Sequence, residues 1–339
     1  VYDIELCATG ENVMKIAIIG GCGYLGSHLT NKLEQKHEVV VYDTNVFSSA
    51  YLPVKAKVKS TNFIDIQLME LEEYEIIFIC STIDIGSFYS EESFKKYQDI
   101  YFDKILECGQ LIETDTVVFT TMDENLNKDD GLYYNYQTLL VNGIEKQLNR
   151  NIAVIPTPEL YGGTLRVRSD LFVNNMLSEF FQYNRYMVED ELLRHLCFSH
   201  VSKFTDWIVN GLTNIQKCGL PTTEEFEYCE MSRFMIANYV SWMLGPDYEL
   251  YVRPEDNMML ECTGDYAFSE TSQLEYTLSL YTKLVEERNF SDLFDMHSNN
   301  RYIVNNSLIG NRFTKSILND KSVSKLTKPV TVGGNCNNK

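Results

Sequence analysis

Positive charge is scarce in this sequence: 29 Lys+Arg stand against 48 Asp+Glu in 339 residues, a formal net charge of −19. Phosphate backbones are held by basic stripes, and none is visible, which excludes a nucleic-acid scaffold and counts equally against an anionic membrane surface. Long apolar runs are missing too. The longest are strand-sized, so no segment reads as spanning a bilayer. The N-terminus lacks a basic flank followed by an apolar stretch, so no secretory signal is read. Nine cysteines are present, Cys7, Cys22, Cys80, Cys108, Cys197, Cys218, Cys229, Cys262 and Cys336, an odd count with no C-x-x-C pair. Free thiols in a reducing, cytoplasmic compartment are the expectation. No two of the five histidines have zinc-ligand spacing, so no metal site is read.

What is present is ordinary for a folded protein: 44% hydrophobic and 23% charged residues. At roughly 100–200 residues per domain, this length suggests one large domain or two interlocked ones. From Met14 the chain reads strand, glycine turn, helix, strand. Lys15–Ile19 is a short β-branched run of the kind covered on both faces. Leu25, Leu29 and Leu33 form one helical face, and Glu38–Asp43 is a second buried strand. Further strands are expected at Glu75–Cys80, Thr116–Thr120 and Asn151–Pro156, with helices at Glu91–Cys108 and Leu139–Arg150 between them. Such alternation implies a doubly wound parallel sheet. Beyond about Gly163 the pattern loosens into helices at Ser169–Phe181, Lys203–Thr213, Met231–Met243 and Gln273–Arg288, with a short strand at His195–His200. The expected organisation is an extension or cloning remnant at 1–13, a cofactor domain at 14–163 and a smaller lobe at 164–310. Residues 311–339 read as a polar tail, and the segment near 195–213 is expected to return to the first domain.

Glycines at 20, 23 and 26 stand between the first strand and the first helix. In that setting the spacing reads as a dinucleotide-binding turn. Gly20 permits the tight turn, Gly23 the approach of backbone amides to a pyrophosphate, and Gly26 close packing of helix on strand. The helix N-terminus, at Tyr24 and Leu25, offers unpaired N–H groups and the positive end of its dipole. Asp43 lies 23 residues after Gly20, at the end of the second strand. A carboxylate there accepts from ribose hydroxyls and repels a 2′-phosphate, and the next basic residue is only Lys55. The expected cofactor is therefore NAD rather than NADP.

From Met14 to about Asn210 these residues resemble the extended short-chain dehydrogenase/reductase superfamily, and within it the NAD-dependent epimerase/dehydratase group acting on nucleotide sugars. Besides Met14–Leu29, the resemblance rests on Phe63-Ile64-Asp65-Ile66, Ile76–Ser81, Leu160-Tyr161-Gly162, Arg166–Asn174 and Phe198-Ser199-His200-Val201. It implies a Rossmann-type sheet with a smaller mixed C-terminal substrate lobe. It also places Asp65 and Ile66 beside the adenine, and Cys80 and Ser81 along the cofactor. Asn174 is implied to hold a substrate diphosphate, with a basic residue, Arg166 or Arg168, to neutralise it. His200 is read as a structural histidine. A homodimer through a helix pair is implied as well.

The same resemblance calls for a tyrosine with a lysine four residues on, because the lysine's charge lowers the tyrosine pKa. Here Tyr133, Tyr134 and Tyr136 are followed at that place by Gln137, Thr138 and Leu140, so the motif is degenerate. Thr121 falls where the orienting hydroxyl is expected. The candidate catalytic set is Thr121 with Tyr133 or Tyr136. Two readings follow: an NAD-dependent epimerase, dehydratase or reductase of nucleotide sugars, or a catalytically degenerate NAD-binding protein with a sensing, scaffolding or assembly role.

Overall fold

The structure is a computed structural model, and it describes residues 13–44, 55–81, 91–111, 113–121, 152–162, 171–188, 195–218, 226, 228–252 and 324–326. The chain divides into two compact units: Val1–Asp84, Phe88–Val118 and Thr138–Val154 form the first, and the remainder forms the second. The units interleave along the sequence, so the division does not fall at a single point such as residue 163.

Unit 1 is built on the strand order β3-β2-β1-β4-β5-β6. The strands are β1 Lys15–Ile19, β2 Glu38–Asp43, β3 Lys57–Ser60, β4 Ile76–Ile79, β5 Asp115–Thr121 and β6 Ile152–Thr157. β1 pairs in parallel with both β2 and β4, with Ile18 opposite Val41 on one side and Phe78 on the other. The next pairs outward, β2 with β3 and β4 with β5, are parallel too. The chain thus reverses its winding at β1, and the C-terminal ends of β1 and β4 form the crevice where such sheets bind ligands. The strands are continuous apolar runs because both faces are covered: Ile16, Ile18, Val41, Ile77 and Phe78 are fully buried. Helix α1, Tyr24–Leu33, buries Leu29 and Leu33, four residues apart. After β3 come a single 3₁₀ turn at Phe63–Asp65 and the short helix α2, Leu68–Leu71. Helix α3 spans Glu91–Cys108, the same bounds that the periodicity predicts.

Unit 2 carries two small sheets, ordered β10-β9-β7 and β12-β11-β8. Their strands are β7 Glu159–Tyr161, β8 Arg185–Met187, β9 His195–His200, β10 Cys229–Ser232, β11 Glu249–Val252 and β12 Ser324–Leu326. The helices are α4 Phe172–Tyr183, α5 Val201–Cys218 and α6 Arg233–Leu244. α4 buries Val173, Met176, Leu177 and Phe180, a stripe at helical spacing, in a core shared with Leu196, Phe198, Phe234, Val240 and Leu250.

Several expectations are revised. β9 has its predicted bounds, but it hydrogen-bonds to β7 and β10 rather than to the six-stranded sheet. The following α5 reaches β5 through Phe204, whose ring meets Phe119 at 6.1 Å. The helix expected from Met231 starts at Arg233, because the Ser232 hydroxyl accepts from the Met235 N–H at 3.3 Å and caps it. Cys229–Ser232 is strand β10. Within the expected polar tail, Ser324–Leu326 is a strand, β12, antiparallel to β11. The helices expected at Leu139–Arg150 and Gln273–Arg288 lie outside the described residues.

Candidate dinucleotide site

The turn after β1 is held by its own backbone. The Gly20 N–H donates to Tyr42 O at 2.7 Å, and the Gly23 N–H donates to Gly20 O at 2.9 Å. Gly20 has φ +76°, a left-handed conformation that glycine adopts without strain. A Cβ at residue 20 would sit 2.7 Å from Ser81 N, so the turn lies against the end of β4. A Cβ at Gly23 would sit 2.9 Å from Gly20 O, and one at Gly26 would overlap Gly20 O and lie 2.7 Å from the Gly21 Cα. Gly21 belongs to the same fit, since a Cβ there would lie 2.7 Å from Val41 Cγ1. The sequence reading passes over Gly21, although the adjacent glycine pair was its visible signal.

Helix α1 begins directly at this turn. Gly23 is its N-cap with no side-chain cap, and the first turn contains no acidic residue. α-Helical geometry provides no carbonyl partner for the first N–H groups, so the turn presents donors and a positive dipole end. Tyr24 is buried and sets its ring edge-on to His28, with centroids 6.0 Å apart, while Leu25 is half-buried. Such a cradle, floored by glycines, is the geometry that accommodates a pyrophosphate.

Asp43, at the end of β2, is buried, and its Oδ2 accepts from the Cys22 N–H at 2.9 Å. The carboxylate therefore braces the glycine turn from the side where the adenosine ribose is expected, and its remaining lone pairs suit hydroxyl donors. Among the other predicted contacts, Asp65 is exposed and Ile66 buried, both on the turn that follows β3. Cys80 and Ser81 are half-buried where β4 leaves the sheet, and burial pushes the Cys80 thiol pKa up. The structure thus brings Gly20, Gly23, Gly26, Asp43 and Ser81 to one end of the sheet.

Residues that sequence reasoning missed complete this wall. Asn62 Oδ1 accepts from the Ile64 N–H at 3.4 Å and from the Tyr97 hydroxyl at 3.1 Å, joining the turn after β3 to helix α3. Tyr101, one helical turn on, reaches Ser81. Tyr97 and Tyr101 stand four apart on a helix whose bounds were legible, and that spacing was the available signal. Burial raises the Tyr97 pKa, with Asp65 acting the same way and the Asn62 hydrogen bond opposing them.

Three further motif segments meet in unit 2. Tyr161 on β7 stands opposite His200 on β9, and their rings meet edge-to-face at 5.3 Å. Asn174, expected to face a substrate diphosphate, is instead fully buried, and its Oδ1 accepts from the Gly162 N–H at 3.2 Å. His200 is buried, and its Nδ1 accepts from the Ser202 N–H at 3.2 Å, which places the ring proton on Nε2. Thr121 ends β5, with its side chain outside the described residues. Tyr133, Tyr136, Arg166 and Arg168 lie wholly outside them. Among the described residues no cluster of His, Cys, Asp or Glu could hold a metal, and no helix is long and apolar enough to cross a membrane.

No protein-family model and no curated protein sequence matches the chain. Solved structures do. The NAD-dependent NDP-hexosamine 5,6-dehydratase TunA, involved in tunicamycin biosynthesis, superposes with a TM-score of 0.60 at 17% identity over 80% of this chain and 98% of its own. The Bordetella bronchiseptica enzyme WbmF, solved with NAD+, gives 0.59 at 14% identity over 84% and 97%. The UDP-N-acetylglucosamine 4-epimerase of Methanobrevibacter ruminantium M1, solved with UDP-N-acetylmuramic acid, gives 0.59 at 12% over 80% and 99%. At these identities the likeness is one of fold: this chain has the Rossmann-type fold of NAD-dependent nucleotide-sugar epimerases and dehydratases.

Proposed function

We propose that this protein binds NAD at the glycine turn and acts on a nucleotide-linked sugar as an epimerase or dehydratase. The observation that supports it best is the turn itself: three glycines with no room for a Cβ, an uncapped helix N-terminus, and Asp43 bonded to the turn amide. The fold shared with TunA and WbmF supports the same reading. NAD would supply a hydride acceptor for transient oxidation of a sugar carbon. The chain's own residues do the rest in this reading. The first-turn amides of α1 hold the pyrophosphate, Asp43 the ribose, and Asp65 and Ile66 the adenine edge. Thr121 orients the sugar hydroxyl, Tyr133 or Tyr136 exchanges its proton, and Arg166 and Arg168 neutralise the substrate diphosphate in an otherwise acidic chain. A cytoplasmic homodimer is the expected form.

A second reading rests on a specific feature, the absence of a lysine four places after Tyr133, Tyr134 or Tyr136. Without that charge the tyrosine keeps its ordinary high pKa, and the protein is then an NAD-binding member of the fold with a sensing, scaffolding or assembly role. One set of experiments separates the two. Calorimetric titration with NAD is expected to show saturable binding that weakens about 10–100-fold in Asp43→Ala, two hydrogen bonds to a charged acceptor being lost. Incubation with UDP- and GDP-sugars, followed by product analysis and absorbance at 340 nm, is expected to show turnover that Tyr133→Phe with Tyr136→Phe removes. Binding without turnover selects the second reading, and no NAD binding discards both.

A further inference from the structure

Tyr101 sits on the inner face of α3 with 3% of its surface exposed. Its hydroxyl donates to Ser81 O at 2.8 Å and stands 2.6 Å from Ser81 Oγ. A phenol has one proton, so the assignment that satisfies both contacts has Tyr101 donating to the carbonyl while accepting from the serine hydroxyl. Ser81 is where β4 leaves the ladder, the last ladder bond printed on that side being Cys80 N–H to Ile19 O at 2.9 Å. Ser81 is also the residue against which Gly20 rests. The tyrosine ring packs edge-to-face on Phe63, with centroids 5.1 Å apart, in the 3₁₀ turn that carries Asp65. A single buried side chain therefore touches the strand end that backs the glycine turn and the turn that follows β3.

We infer that Tyr101 is a positioning residue for the dinucleotide site: through Ser81 it fixes the wall against which the glycine turn is set. This rests on the dinucleotide reading proposed above. Tyr101 touches neither the turn nor the cofactor's expected place directly, and it acts through Ser81 and Phe63. The tyrosine pair on the opposite flank of the sheet provides a matched control. Tyr74 is equally buried, and its hydroxyl makes one hydrogen bond, 3.0 Å from that of Tyr42, remote from Ser81.

The test compares Tyr101→Phe with Tyr74→Phe in the full chain, using two readouts. The first needs no cofactor: amide hydrogen exchange, by mass spectrometry, of peptides covering 14–29 and 76–81 in the ligand-free protein. Tyr101→Phe is expected to speed exchange of both peptides about five- to ten-fold with Tyr74→Phe leaving them unchanged, as loss of two hydrogen bonds at one residue predicts. The second is the Kd for NAD by calorimetry, expected to rise about five-fold in Tyr101→Phe and to stay at the wild-type value in Tyr74→Phe. Ser81→Ala, which removes the serine hydroxyl but keeps the carbonyl acceptor, is expected to show a smaller rise. Unchanged exchange in Tyr101→Phe overturns the inference whatever the cofactor does. Equal effects of the two substitutions on Kd reduce Tyr101 to a general stabiliser and overturn it too. Altered exchange at 14–29 with no NAD binding in the wild type discards the dinucleotide reading, while the structural coupling of Tyr101 to the turn stands.

Discussion

Two glycines in this protein do the same thing locally and different things globally. Gly20 has φ +76° and is pressed against Ser81 at the end of β4. Gly162 has φ +122° and is pressed against the His200 ring at the end of β9, where a Cβ would meet Cδ2 at 2.8 Å. Around Gly20 the chain runs straight into an uncapped, half-exposed helix N-terminus with no acid in its first turn. Around Gly162 the backbone donor is used up by Asn174, and Tyr161, Asn174 and His200 are all buried. A left-handed glycine wedged beside a strand end is thus a binding cradle in one unit and a rigid corner in the other. The difference lies in whether the backbone donors remain for a ligand or are met internally.

Substitutions are expected to split along that line. The largest effect on ligand binding is expected from Gly26→Ala, whose methyl group overlaps Gly20 O. NAD affinity by calorimetry should fall by about 100-fold or more while the far-ultraviolet dichroism stays native, since backbone cannot yield as a flexible side chain does. Unchanged affinity would show that the turn does not carry the cofactor. Gly162→Ala combines positive φ with a clash on an aromatic ring, and should cost about 3 kcal/mol. It lowers Tm by roughly 5–10 °C with NAD affinity within two-fold of wild type. Loss of NAD binding in this variant would erase the contrast between the two glycines.

Asn174→Ala leaves the buried Gly162 N–H without its acceptor, at a cost of about 1–3 kcal/mol. Its Tm loss should be smaller than that of Gly162→Ala, and adding it to that variant should give less than the sum, because both act on one hydrogen-bonded corner. Strict additivity would separate the two residues. The smallest effect is on pH dependence. Burial pushes the Cys108 thiol from 9.0 to about 12. The folded state therefore holds a proton that the unfolded chain releases sooner, so the contribution is complete below about pH 9 and shrinks as pH rises toward 12. Thermal melts across that range should show an alkaline fall that Cys108→Ala flattens, and an identical fall in the variant would assign it to other groups.

Much of unit 1 was legible before any coordinates. Lys15–Ile19 and Glu38–Asp43 are apolar enough to be strands buried on both faces, and α3 has the bounds that its periodicity predicts. Short strands were not legible. β3, β7, β8, β11 and β12 have three or four residues each, too few to show a period, and they exist because a partner strand supplies their hydrogen bonds. β10 was absorbed into a helix because Met231 continues the apolar pattern of α6, and only the Ser232 cap separates them. The site divides in the same way. Gly20, Gly23, Gly26 and Asp43 announce themselves by spacing, because a turn between strand and helix is a local event. Gly21, Asn62, Tyr97 and Tyr101 matter through contacts made far along the chain, such as Gly21 with Val41 and Tyr101 with Ser81.

The sequence by itself determined the kind of sheet, its winding point and the glycine turn, since periodicity, β-branching and glycine's freedom at positive φ act within a few residues. Only the tertiary structure decided that β9 pairs with β7 and β10, that Asn174 is spent on a backbone N–H, and that Tyr101 backs the turn through Ser81. Each of these depends on which distant backbone group a side chain meets once the core has closed, and burial makes that meeting binding because a polar group cut off from water must find a partner.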